Sequence, residues 1–252
     1  MLELHHGEPN GYHLKPLILL KEKNALYRGC WFDPASFSQD RAPWAGETEV
    51  AFNLEREGPV LVDDGRPISD ALFINLYLDE TQAGPQLRPA TPEGHWSLLM
   101  WGRFVGEVLA PAIHSLGCAA YPPKADPAAV EALPDLERKR GWQAALGAEP
   151  EAVLADSRRK AGVAIAKIEA ALDPGPWLLG ADYSLVDIEV FGHALCLPDL
   201  VPELANAEAS PRLLAWLERV RARPAVQAAL ASGRSAKPEQ AFVPGPEHSR
   251  WG

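Results

Sequence analysis

The chain has 252 residues, 47% hydrophobic and 23% charged, enough to bury a substantial core and unlike a disordered tail or a stapled miniprotein. With 24 Lys and Arg against 34 Asp and Glu, the formal charge is −10, which leaves no basic surplus for a phosphate backbone and argues against a nucleic-acid partner. The cysteines Cys30, Cys118 and Cys196 are too far apart for a C-x-x-C pair, so zinc sites and a disulfide framework are not expected, and any thiol chemistry needs a borrowed thiol. His5 and His6 are adjacent, and His95, His114 and His193 share no ligand spacing on one helix, so no metal centre is expected either. The N-terminus Met1-Leu2-Glu3-Leu4-His5-His6 lacks a basic region and an apolar stretch, and no run approaches the ~18 apolar residues of a membrane span. A soluble protein of the reducing cytoplasm is expected.

Leu2-Glu3-Leu4-His5 is a short candidate strand, followed by the polar loop Gly7-Glu8-Pro9-Asn10-Gly11. The spacing of Leu14, Leu17 and Ile18 predicts a helix from Leu14 to Lys23, with Pro16 in its first turn, where a missing N–H costs little. Ala25 to Phe32 reads as a second strand, and Asp33 to Glu49, with Pro34 and Pro43, as irregular structure. Gly58-Pro59-Val60-Leu61-Val62 is an apolar strand running into Asp63-Asp64-Gly65-Arg66, a turn of the D-G type that begins a hairpin. Asp70 to Glu80 reads as a helix through Leu72, Ile74, Leu76 and Leu78. The order is β-α-β, then β-β-α.

A Pro-rich stretch, Gly84-Pro85-Gln86-Leu87-Arg88-Pro89-Ala90-Thr91-Pro92, fits a linker that few contacts cross. Beyond it every strong pattern is helical. Trp96, Leu99, Met100, Phe104, Val108 and Leu109 form one apolar face, Leu154, Ala161, Ile165, Ile168 and Leu172 another. Further helices are expected over Leu185–Leu197 and Pro211–Arg223. Arg138-Lys139-Arg140 and Arg158-Arg159-Lys160 read as solvated helix faces. The tail from Ser232 to Gly252 reads as an extended arm, with Phe242 and Trp251 available for docking. The expected division is therefore 1–80, a linker 81–93, a helical domain 94–231 and an arm 232–252.

A small α/β domain joined by a linker to an all-α domain resembles the soluble glutathione S-transferases. That resemblance implies a thioredoxin-like N-terminal domain plus an all-α C-terminal domain. Gly180-Ala181-Asp182-Tyr183-Ser184-Leu185-Val186-Asp187 is similar to the superfamily's capping box, in which Ser184 and Asp187 satisfy orphan N–H groups of a buried helix. Gly58-Pro59 resembles the Val-Pro motif whose cis-proline turns backbone groups toward the cysteinyl unit of glutathione. Within the superfamily, His13-Leu14-Lys15-Pro16-Leu17, Phe32-Asp33-Pro34-Ala35-Ser36-Phe37, Gly175-Pro176-Trp177-Leu178-Leu179-Gly180 and the run Leu204 to Leu213 look like the β-etherases of lignin-degrading sphingomonads. The resemblance implies glutathione as co-substrate and lignin-derived aryl ethers as substrates.

A glutathione site needs a donor to the thiolate, a hold on the cysteinyl backbone, and a carboxylate with helix N–H groups for the γ-glutamyl end. In the compared β-etherases the residue before Leu-Lys-Pro is a serine that can hydrogen-bond the thiol; here it is His13. An imidazole can donate to a thiolate, and its bulk can equally block the thiol. Tyr12 brings a phenol one residue early in register, and Asn10 an amide. Pro59 and Val60 match the cysteinyl contacts. At the γ-glutamyl end, where the superfamily has Glu or Gln and then Ser, this chain has Asp70 and Ala71; the loop Asn53-Leu54-Glu55-Arg56-Glu57 also departs from the usual pattern.

Two expectations follow. In one, the chain is an active, self-sufficient β-etherase whose thiolate is stabilised by His13 or Tyr12, with Trp96, Trp101, Phe104, His114, Tyr121 or Trp142 lining an aromatic pocket or forming interdomain core. In the other, favoured by the three departures, it is the weakly catalytic partner of a related β-etherase subunit in a heterodimer, and glutathione is bound mainly by that partner.

Overall fold

The computed structural model describes residues 1–37 and 58–244. Strands β1 (Leu2–His6), β2 (Tyr27–Trp31), β3 (Val60–Asp63) and β4 (Arg66–Ser69) form a sheet in the order β2-β1-β3-β4. β1 and β2 are parallel and joined through helix α1 (Gly11–Glu22), whereas β3 is antiparallel to both β1 and β4. The β3–β4 turn places Asp64 at φ 47° and Gly65 at φ 82°, the left-handed pair that a two-residue hairpin requires and that the D-G dipeptide supplies. Along β1 the side chains alternate: Leu2, Leu4 and His6 are buried, while Glu3 and His5 are half-buried on the opposite face. Leu4 and Leu61 join the buried Leu14, Leu17 and Ile18 of α1 and the Ile74 and Leu78 side chains of α2 (Ala71–Thr81) in the main core.

After α2, the regular elements among the described residues are helical: α3 (Pro92–Phe104), a π-type turn over Val105–Leu109, α4 (Ala110–Ala120), α5 (Pro127–Glu131), α6 (Leu136–Leu146) and α7 (Glu151–Ala171). Then come α8 (Leu185–Ala194), α9 (Leu197–Leu200), α10 (Pro211–Arg221) and α11 (Pro224–Leu230). Every residue of α8 is buried, and α8 packs on α1, α3, α4 and α10. Its first turn carries the expected box: Ser184 Oγ accepts from the Val186 N–H, and Asp187 Oδ2 accepts from the Ser184 N–H at 3.0 Å. Asp187 Oδ1 also accepts from the Leu178 N–H at 3.0 Å and from Trp216 Nε1 at 2.9 Å, tying α8 to α10 and to the turn before it. Among the described residues, no helix is long and apolar enough to cross a membrane.

Several expectations change. α1 begins at Gly11, three residues before Leu14, because its first turn is held by interdomain contacts rather than by an apolar face. The Pro-rich linker does carry contacts: the Asp79 carboxylate accepts from the Leu87 and Arg88 N–H groups at 3.0 Å each, and Leu87 O accepts from the Leu185 N–H. The apolar face of α3 is divided, with Leu98 and Trp101 buried while Trp96, Leu99 and Met100 are exposed. Arg158 and Arg159 are solvated as expected, but Arg138 is buried against the Phe37 ring, its guanidinium carbon 5.1 Å from the centroid. α4, α5, α9 and α11 lie outside the helices expected from the sequence. The segment Asp33–Glu49 is described only to Phe37 and contains a 3-10 turn over Pro34–Ser36. Its remainder, the loop Asn53–Glu57 and Trp251 lie outside the described residues.

Candidate active site

The candidate site lies where β1 ends and α1 begins. Gly11 opens α1 at φ 53°, a conformation open to glycine, and a Cβ there would lie 3.2 Å from His193 Nε2. His13, in the first turn, is buried. Its Nδ1 accepts from the Gly7 N–H at 3.2 Å, which assigns the neutral tautomer with the proton on Nε2. The ring meets Phe32 edge-on, with centroids 5.7 Å apart, and it abuts the cis bond Gly58–Pro59: a Cβ at Gly58 would lie 3.1 Å from His13 Cε1. Burial, reinforced by the nearby His6 and His114, pushes the His13 pKa down to about 3. At neutral pH His13 is an uncharged hydrogen-bond donor packed beside the cis-proline.

Pro59 is buried, and Val60 starts β3 opposite His5 and Ser69. Asp70 sits at φ 69°, exposed, as the N-cap of α2; its Oδ1 accepts from the Leu72 and Phe73 N–H groups at 2.8 and 3.1 Å. Ala71 follows with a buried methyl and no hydroxyl.

Tyr12, one position earlier on α1, turns the other way, toward the helical domain. It stacks on His114 of α4 with centroids 5.7 Å apart and meets His193 of α8 edge-on at 4.6 Å. Lys15 Nζ lies 4.7 Å from the Tyr12 centroid and 2.5 Å from Glu189 Oε1, in an ion pair that is almost wholly buried between α1 and α8. Burial raises the Glu189 pKa and Lys15 opposes that rise.

Asn10 is committed to the C-terminal arm: Nδ2 donates to Glu239 O at 3.0 Å, and Oδ1 accepts from Cys196 Sγ at 3.4 Å. The same arm is held by the Glu8 carboxylate, which accepts from the Arg234 and Ser235 N–H groups, and by His114, whose Nδ1 lies 2.7 Å from Val243 O. Phe242 is buried beside Gly117 and stacks on Tyr121.

The structure thus brings His13 to Gly58–Pro59, sends Tyr12 to the domain interface and Asn10 to the arm, and leaves Asp70 at the head of α2. Of the aromatic residues considered for a pocket, His114 adjoins Tyr12. Trp96 is exposed, Trp101 packs on Phe104, and Trp142 packs on Phe37. His193 and the Lys15–Glu189 pair, central to this interface, carry no sequence signal, because a single polar residue on an apolar helix does not reveal its partner on another element.

Comparisons with known proteins identify the family of the fold. Residues 110–224 match the glutathione S-transferase C-terminal domain family. The chain is 30% identical over 240 residues to Protein LigF of Sphingobium sp. SYK-6, covering 90% of this chain and 91% of that protein. The crystal structure of β-etherase LigF superposes with a TM-score of 0.81 at 28% identity, over 92% of this chain and 99% of that one. Glutathione transferase F7 of Populus trichocarpa shares the fold, with a TM-score of 0.66 at 21% identity over 92% and 98% of the two chains. The chain belongs to the glutathione S-transferase family, on the branch that includes the β-etherase LigF.

Proposed function

We propose that this chain is a subunit of a glutathione-dependent β-etherase acting on β-aryl ethers of lignin-derived aromatics in the cytoplasm, and that it is the weakly catalytic member of a heterodimer with a related subunit. In that reaction the thiolate sulfur bonds to the carbon bearing the aryloxy group. The C–O bond breaks, its electron pair leaves with the aryloxide, and the proton released from the thiol completes the phenol. Similarity to LigF over nearly the full length of both chains supports the reaction class.

The observation that carries the subunit reading is the state of His13. Where the resemblance has a serine hydroxyl, this chain has a buried, neutral imidazole whose Nδ1 is already occupied. A neutral ring brings no positive charge to depress the thiol pKa. The other candidate groups are also engaged within the fold: Asn10 on the arm, and one Asp70 oxygen on its own helix. Without a hydroxyl at Ala71, a hydrogen bond to the γ-glutamyl carboxylate is lost, at a cost of ~1.5–3 kcal/mol.

The self-sufficient reading rests on one observation. The Gly7 N–H on Nδ1 leaves His13 Nε2–H free in chemistry to donate to a thiolate beside Pro59. Calorimetric titration with glutathione, and turnover of a model β-aryl ether by the chain alone and co-purified with a related β-etherase chain, separate the two. The subunit reading expects weak binding and little turnover by the lone chain, and His13→Ser raising both. Tight binding with turnover that His13→Ser abolishes would establish the self-sufficient enzyme instead.

A further inference from the structure

The opposite face of the sheet carries a second set of reactive side chains, unrelated to His13. In the parallel register of β1 and β2, Glu3 pairs with Arg28 and His5 with Cys30, so all four side chains leave the same face of the sheet. His5 Nε2 lies 3.8 Å from Glu3 Oε2, Cys30 Sγ lies 4.0 Å from that same oxygen, and all three donor atoms fall within 4.8 Å of one another. Cys30 is a free thiol, half-buried like Glu3 and His5. Val60 and Val62 of β3 stand opposite His5 and Glu3 in the antiparallel register and supply an apolar wall.

We propose that Glu3, His5 and Cys30 form a binding site for a single zinc-class divalent cation. Ligands held ~2.0–2.3 Å from tetrahedral zinc are separated by about 3.3–3.8 Å, so closure of this triad asks the side chains to draw together by at most about an ångström. One nitrogen, one oxygen and one sulfur select zinc and its transition-metal neighbours over magnesium or calcium, which demand oxygen alone. Three protein ligands leave the fourth position to water. Binding converts the Cys30 thiol to a thiolate and releases its proton.

Arg28 is the counter-cation of the metal-free site. Its Nε lies 3.4 Å from Cys30 Sγ and an Nη 3.5 Å from Glu3 Oε1, on a side chain 65% exposed. A bound dication repels that guanidinium, which has open solvent to swing into. Arg28 therefore competes with the metal and weakens it.

The test uses the full-length, untagged, metal-free protein without added thiols. Zinc is titrated against a chromophoric chelator, and cobalt(II) is followed by absorption. One equivalent is expected to bind, with cobalt giving a thiolate charge-transfer band and tetrahedral d–d bands. Cys30→Ser should remove the charge-transfer band, and both it and His5→Ala should weaken zinc by at least about tenfold. Arg28→Ala, at an exposed position that leaves the fold intact, should tighten zinc several-fold, while Cys118→Ser should change nothing. Absence of saturable binding, a charge-transfer band that survives Cys30→Ser, or an Arg28→Ala variant with unchanged affinity would overturn the site.

Discussion

At the scale of single residues, burial decides the chemistry available to His13. The unfolded chain takes up a proton on this side chain near its ordinary pKa of 6.5, whereas the folded chain does so only near 3. The depressed value means that its contribution to stability is intact above pH 6.5 and is lost as pH falls toward 3. Over the two units from pH 6.5 to 4.5 the linkage amounts to about 2–3 kcal/mol. Urea unfolding at pH 7 and pH 4.5 should therefore show the wild type losing about 2 kcal/mol more than His13→Ser, which retains His5 and His6 and removes only this imidazole. Equal losses would mean that His13 is hydrated in the fold. The sequence shows that a histidine occupies this position; only its packing against Phe32, Gly58 and the Gly7 N–H tells which nitrogen carries the proton.

At the scale of elements, α8 and the C-terminal arm are anchored in contrasting ways. Asp187 holds α8 through local and distant donors at once, so Asp187→Ala would strand the N–H groups of Leu178, Ser184 and Trp216 in a buried region. Denaturant unfolding should register a loss of at least about 3 kcal/mol. The box itself was legible, because Ser184 and Asp187 are three residues apart at the head of an apolar run; the bond to Trp216 was not, because it crosses to α10. The arm depends on a glycine. A Cβ at Gly117 would lie 2.3 Å from the Phe242 ring, so Gly117→Ala must expel Phe242 while improving the intrinsic helix propensity of α4. Limited proteolysis should then cut after residue 231 in the variant and spare the wild type, with the helical core retained by circular dichroism. The divided face of α3 shows the limit of periodicity: it identifies the helix, but whether Trp96 or Trp101 faces inward depends on what packs alongside.

At the scale of the whole molecule, the two halves meet across α1 and α8, and that contact contains a buried ion pair. Gly192 permits the approach: a Cβ there would lie 2.8 Å from Gly11 O and 2.9 Å from Lys15 Cγ. Lys15 and Glu189 are each almost fully buried, so removing one partner leaves an uncompensated charge. Glu189→Gln should cost about 3–5 kcal/mol in equilibrium unfolding, and the double change Lys15→Met with Glu189→Leu should recover most of it. A double variant as unstable as the single one would show that the pair matters for shape rather than for charge. The sequence by itself determined the periodic elements, the D-G hairpin, the capping box and the family resemblance, because each is written in residues close along the chain. Tertiary structure alone decided the protonation of His13, the diversion of Tyr12 and Asn10 away from it, the Lys15–Glu189 pair and the gathering of Glu3, His5 and Cys30. All of these join segments remote in sequence, and burial and strand register, which set their distances and charges, exist only once the chain is folded.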